Sequence, residues 1–124
     1  MTIVIPGQPV PKPRMTKSDK WKKRACTTRY WEYKDRVEAV MKDYPNLDIN
    51  YSCVAFYLSM PKSWSIKKKK DMSGKLHKQK PDIDNLLKAL FDSLMSEDKS
   101  VSILNGIAKY WCDEGEERTE IIFG

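Results

Sequence analysis

The apolar residues between positions 83 and 94 constrain the fold of this chain more than any other feature of its sequence. Six of them recur at spacings of three and four, which places them on one face of an α-helix: Ile83, Leu86, Leu87, Leu90, Phe91 and Leu94. Asp82 follows Pro81 and occupies a natural N-cap position. Because such a broad apolar face has to be covered by another layer, the chain must supply a sheet or further helices.

The rest of the sequence predicts that second layer. Residues 30–43 predict another helix, since their apolar positions form one stripe before Pro45. Four apolar or β-branched runs have the length of strands: 2–5, 51–59, 101–111 and 118–123. We therefore predict an α+β fold, in which a small mixed sheet of about four strands packs against two main helices.

Length and composition limit the class of protein. A chain of 124 residues, 40% of them apolar, has room for one domain with one core, so we expect a single domain over residues 1–124. No apolar run approaches the ~20 residues of a membrane span, and the N-terminus lacks the pattern of a secretory signal. The three cysteines are widely spaced, unlike those of a disulfide framework or a zinc site. We expect a cytoplasmic protein with reduced thiols and no membrane partner.

Charge is segregated along the chain. Residues 12–34 carry nine Lys or Arg against two Asp or Glu, and residues 62–80 carry eight Lys against one Asp. We expect the second block to be a basic loop with at most one helical turn. Cations beside aromatic rings suit phosphates and unstacked bases. The rings are equally consistent with a hydrophobic core, and the lysine run is equally consistent with a solvated loop. The candidate nucleic-acid contacts are Lys12, Arg14, Lys67, Lys68, Lys69, Lys70 and Lys80.

Three aspartates form the main chemical candidate. Asp82 and Asp84 lie at the start of the predicted helix, and Asp98 follows soon after its end. Neighbouring carboxylates repel each other unless a cation neutralises them, and Mg²⁺ takes one or two carboxylates together with waters and phosphate oxygens. As isolated residues, Asp82 is explained equally well as a helix cap and Asp84 as a partner of the helix dipole. Lys88, four residues after Asp84, is either an exposed ion-pair partner or a cation beside a metal site.

Histidine-based catalysis is disfavoured. His77 is the only histidine, and it lies in the basic block without an evident acidic residue to orient it. We interpret it as a surface residue or a further residue that faces phosphate.

Residues 80–94 (KPDIDNLLKALFDSL) closely resemble the signature of the RusA family of Holliday-junction resolvases, endodeoxyribonucleases of bacteria and their phages. Residues 5–14 are similar to the opening segment of the family, 61–65 to its middle loop, and 98–101 (DKSV) to the Asp-x-x-Val that enters a later strand. The resemblance spans nearly the whole chain.

The resemblance implies a set of site residues. Aspartates at these positions in the family bind magnesium or manganese, which implies that Asp82, Asp84 and Asp98 are metal ligands. The essential lysine of the family falls on Lys88. The loop before Asp98 is shorter than is usual in the family, so Glu97 is the alternative third ligand.

The resemblance also implies a function. Family members are homodimers whose paired sites cut opposed strands of a four-way DNA junction during recombination and repair. We therefore expect a magnesium-dependent, junction-resolving endonuclease. The alternatives are a protein of the same fold that only binds branched or single-stranded DNA, and a regulatory protein whose basic blocks dock an acidic partner.

Overall fold

Four strands and three helices make up the part of the chain that the computed structural model describes, residues 1–13, 25–45, 47–94 and 101–123. In chain order they are β1 (Thr2–Pro6), α1 (Ala25–Met41), β2 (Cys53–Ser59), α2 (Ile66–Met72), α3 (Ile83–Leu94), β3 (Gly106–Cys112) and β4 (Arg118–Ile122). The predicted α+β fold with a small mixed sheet is confirmed. None of the helices in these ranges is long and apolar enough to cross a lipid bilayer.

The strands form one sheet in the order β1-β4-β2-β3. β4 runs antiparallel to both β1 and β2, whereas β2 and β3 are parallel. A parallel pair needs a long crossover connection, and the segment that contains α2 and α3 provides it. Before α3 begins, this segment lies along the outer edge of β3, where the amide of Gly74 donates to the Trp111 carbonyl at 2.8 Å and that of His77 to the Lys109 carbonyl at 2.9 Å.

The core lies between the sheet and the two longer helices. On α3, Leu86 and Leu90 are buried and the other predicted apolar positions pack against the core, as the periodicity predicts. The α1 helix contributes buried Tyr33, whose hydroxyl shares a hydrogen bond of 2.9 Å with Thr119 of β4. Burial raises the pKa of Tyr33 to about 12. This packing fixes α3, and with it the aspartates at its start, against the sheet.

The largest differences from the predicted elements are in three segments. The helix predicted from residue 30 begins at Ala25. The basic block contains two turns of helix, α2, because the Ser65 hydroxyl caps it by accepting the Lys68 amide at 3.1 Å. The strand predicted from residue 101 begins only at Gly106, because the side-chain carbonyl of Asn50 takes the amides of residues 102 and 103.

Candidate functional site

Asp82 and Asp84 lie together at the start of α3. The helix begins at Ile83, and the Asp82 carbonyl accepts the amide of Leu86 at 3.2 Å, which places Asp82 at the N-cap position. Both aspartates are exposed, whereas Ile83 between them is half-buried against the core. The positive end of the helix dipole favours carboxylates at this position. Both predicted aspartates therefore lie on the solvent side of the first helical turn.

Lys88 lies one turn further along the same helix. Its ammonium is 3.9 Å from a carboxylate oxygen of Asp84, and the two side chains are 63% and 68% exposed. An exposed pair at this spacing contributes only ~0.3–0.5 kcal/mol, so it does little to stabilise the helix. The lysine remains accessible to an anionic ligand beside the carboxylates.

Lys109 is a site residue that the sequence reasoning missed. It lies in the middle of β3, and its ammonium donates hydrogen bonds to the backbone carbonyls of Gln79 and Pro81, the latter at 2.7 Å. Burial lowers the pKa of Lys109, while the nearby Asp82 carboxylate raises it. Lys109 stands in register with Phe56, a fully buried residue of β2. The sequence signal that could have revealed it is its spacing: Lys109 is two residues from both Ile107 and Trp111, so it shares one face of the strand with apolar residues.

The prediction that His77 is a surface residue is wrong. Its side chain is 5% exposed and stacks on Trp111, with ring centroids 3.7 Å apart. Its Nδ1 accepts the amide of Gln79 at 3.2 Å, so the neutral ring carries its proton on Nε2. Burial and the charge of Lys109 lower the pKa of His77. The histidine thus anchors the segment that leads to Asp82.

Lys12 is placed against the polar side of α3. Its amide donates to the Asn85 carbonyl at 3.0 Å, and its ammonium is 2.6 Å from a carboxylate oxygen of Asp92. Asp92 also accepts the Tyr30 hydroxyl at 3.1 Å. Burial, helped by Asp92, raises the pKa of Tyr30 to about 12. The segment after β1 is therefore tied to α3 close to the aspartates.

The lysine run forms a basic helix on the surface. Three of its four lysines are exposed and Lys69 is half-buried. The Lys68 ammonium lies 4.3 Å from the centroid of the Trp64 ring, and Trp64 packs on Trp111 at 4.8 Å. This aromatic stack joins α2 to the segment before Asp82, and Lys80 is exposed on that segment. The basic helix and the segment that leads to Asp82 are thus both connected to Trp111.

The donor chemistry of the aspartate pair suits magnesium. Two exposed carboxylates offer oxygen ligands, and Mg²⁺ typically takes one or two of them and completes its shell with water and phosphate. Within the ranges that the structure describes, no group of three His, Cys, Asp or Glu side chains could hold a metal ion. The predicted third ligand, Asp98 or Glu97, and the predicted DNA contact Arg14 lie outside the described residues.

The chain matches the model of a known protein family. A family model described as Endodeoxyribonuclease RusA matches residues 6–121, almost the full length of the chain. A search of curated proteins found no match. The matched range includes Asp82, Asp84, Lys88 and Lys109.

Proposed function

Since the chain belongs to the RusA family of endodeoxyribonucleases, we propose that it is a magnesium-dependent endonuclease that resolves four-way DNA junctions. The single observation that best supports this role is the pair of exposed carboxylates, Asp82 and Asp84, at the start of α3. In this proposal Asp98 completes the ligand set, with Glu97 as the alternative. Manganese, which also accepts oxygen ligands, is expected to replace magnesium.

The bound metal would polarise a phosphoryl oxygen and make hydroxide available at neutral pH. The residues of the chain would bind the ion and stabilise the developing charge. Asp82 and Asp84 would hold the ion, and Lys88 would place a positive charge where negative charge develops on the phosphate or on the leaving oxygen. The weak 3.9 Å pairing between Lys88 and Asp84 supports this role, because little energy is lost when the ammonium turns to DNA.

The DNA contacts are proposed to come from the basic helix α2 and from the segment before Asp82. Lys67, Lys68 and Lys70 are exposed on α2, and Lys80 is exposed two residues before Asp82. Arg14 and Lys69 are the other proposed DNA contacts. Lys12 contributes less than the others, because its ammonium already pairs with Asp92.

Cutting two opposed strands of a junction requires two active sites. We therefore propose that the active form is a cytoplasmic homodimer, which is bacterial or phage-encoded. Sedimentation equilibrium of the free protein tests this directly: a mass near twice 14.5 kDa is expected, and a monomer that still makes paired cuts would contradict the proposal.

The central experiment compares the wild type with Asp82→Asn on a synthetic four-way junction, in magnesium, in manganese and in a chelator. The variant should lose cutting but keep junction binding, because it loses the charge of a ligand oxygen and no basic residue. Asp35→Asn, at an exposed position on α1, is the matched control and should cut normally. Equal cutting by Asp82→Asn and the wild type would refute the site. Junction binding without any metal-dependent cutting by the wild type would favour the DNA-binding alternative.

The contribution of the basic helix is tested by replacing Lys67, Lys68, Lys69 and Lys70 with Gln. The dependence of log K on log salt concentration should become shallower by about 0.9 for each phosphate that is no longer neutralised by a lysine. The cleavage pattern should not change. Lys42→Gln, at an exposed position just after α1, serves as the control. An unchanged slope in the fourfold variant would show that these lysines are only solvated surface.

A further inference from the structure

We infer that Lys109 is a positioning residue, whose ammonium holds the Gln79–Pro81 segment in the conformation that presents Asp82 to the metal. The inference rests on the proposed metal-dependent nuclease function. It adds to the proposed site a residue that neither binds the metal nor contacts DNA. The observation that carries it is the convergence of two backbone carbonyls, from Gln79 and Pro81, on one side-chain nitrogen.

The local sequence explains why this segment needs an external anchor. Pro81 has no N–H, so its carbonyl is its only backbone hydrogen-bonding group, and Lys109 uses that group. The next residue is Asp82, whose carbonyl begins the hydrogen bonding of α3. Lys109 therefore binds the last backbone group before the proposed metal ligand.

The position of Lys109 is itself rigid. It lies in the middle of β3, paired in register with buried Phe56 of β2, and its own carbonyl accepts the amide of His77. His77 is in turn held by its stack on Trp111. Lys109 therefore connects the sheet to the carbonyls of Gln79 and Pro81. The His77 ring holds the start of the same segment, because it accepts the Gln79 amide.

The exposure of the side chains fits this division of roles. Lys80, between the two anchored carbonyls, is exposed, whereas Lys109 is half-buried under the segment. An ammonium has three N–H donors, and the two carbonyls occupy two of them. The Lys109 ammonium thus donates to the backbone near the Asp82 carboxylate, whereas the charge of Lys80 remains available to DNA.

The test uses Lys109→Met, which keeps the length of the side chain and removes both hydrogen bonds, and Lys109→Arg, which keeps a charged donor. Partners that orient metal ligands typically change metal affinity by about 10–100-fold when they are removed. Calorimetric titration with Mn²⁺ in the absence of DNA should show affinity reduced at least about tenfold for Lys109→Met. The magnesium concentration that half-saturates junction cutting should rise in parallel. Lys109→Arg should restore most of the affinity.

The controls separate positioning from other effects. Junction binding in chelator should stay at the wild-type level in Lys109→Met, because the variant keeps every proposed DNA-binding residue. Lys78→Met removes an exposed lysine directly before the Gln79–Pro81 segment and should leave metal affinity unchanged. If Lys109→Met does not fold, Lys109→Gln, which is neutral and shorter, carries the same expectation.

The outcomes distinguish this inference from the proposed function. Wild-type metal affinity in Lys109→Met or Lys109→Gln, with Asp82→Asn inactive, would overturn the role of Lys109 alone. Equally weak metal binding in Lys109→Arg and Lys109→Met would also overturn it, because the conservative variant should rescue. A wild type that neither binds Mn²⁺ nor cuts junctions would overturn the proposed function and this inference together.

Discussion

The carboxylate of Asp92 is expected to stabilise the fold and to play no part in catalysis. It accepts a hydrogen bond from the buried Tyr30 hydroxyl at 3.1 Å and lies 2.6 Å from the Lys12 ammonium. A hydrogen bond to a charged group contributes about 1.5–3 kcal/mol. The ion pair, in which the Lys12 side chain is 41% exposed, adds about 0.2–1 kcal/mol. Asp92→Ala should therefore lower the free energy of unfolding by about 2–3 kcal/mol.

Urea unfolding of single and double variants measures the two contributions separately. The coupling energy between Tyr30→Phe and Asp92→Ala should be about 1 kcal/mol or more. The coupling between Lys12→Met and Asp92→Ala should be smaller and should decrease with salt, since that pair is partly exposed. Asp35→Ala, which removes an exposed carboxylate from α1, should change stability by less than about 0.5 kcal/mol.

Two results would refute this reasoning. A decrease of less than about 0.5 kcal/mol in Asp92→Ala would mean that the network does not stabilise the protein. Failure of metal-dependent cutting in a variant that is still folded would mean that Asp92 belongs to the catalytic group. Junction assays below the unfolding temperature of the variant distinguish a structural carboxylate from a catalytic one.

The remaining predictions concern pH and backbone conformation. The folded protein holds the pKa of His77 below its ordinary 6.5, so the unfolded chain binds a proton at a higher pH than the folded one. The free energy of unfolding should therefore decrease as the pH drops below about 6.5, by at most about 1.4 kcal/mol per pH unit. His77→Asn, which keeps an acceptor for Gln79, should flatten this decline in urea unfolding at pH 7.5 and pH 5.5; an equally steep decline would contradict the assignment. Gly7 has a φ of +100°, and a Cβ there would lie 2.8 Å from Nε of Arg36, whereas Gly74, at φ +81°, has open space around it. Gly7→Ala should thus lower the urea midpoint more than Gly74→Ala, whose cost is about 1–2 kcal/mol of backbone strain; equal costs would show that Arg36 moves aside freely.

The features that the sequence predicts well are those encoded by neighbouring residues. The α3 helix and its buried face follow from apolar residues three and four positions apart, and the structure has that helix at Ile83–Leu94. The position of Asp82 and Asp84 at the start of this helix follows from the same local pattern. The mixed sheet was predictable as a class, but its strand order was not, because the pairing of β4 between β1 and β2 depends on packing across the whole chain.

The sequence by itself determined the acidic start of α3 and the basic character of α2, because charge and periodicity belong to single short segments. Only the tertiary structure decided which polar groups meet. Lys109 reaches Pro81 across 28 residues, and Tyr30 reaches Asp92 across 62. Such partners depend on the tertiary fold, because a half-buried lysine or a buried tyrosine donates to the acceptor that packing places within hydrogen-bonding distance. His77 shows the same limit of the sequence. Its basic neighbours along the chain favoured a surface position, but in the fold its side chain is buried beside β3 and stacks on Trp111.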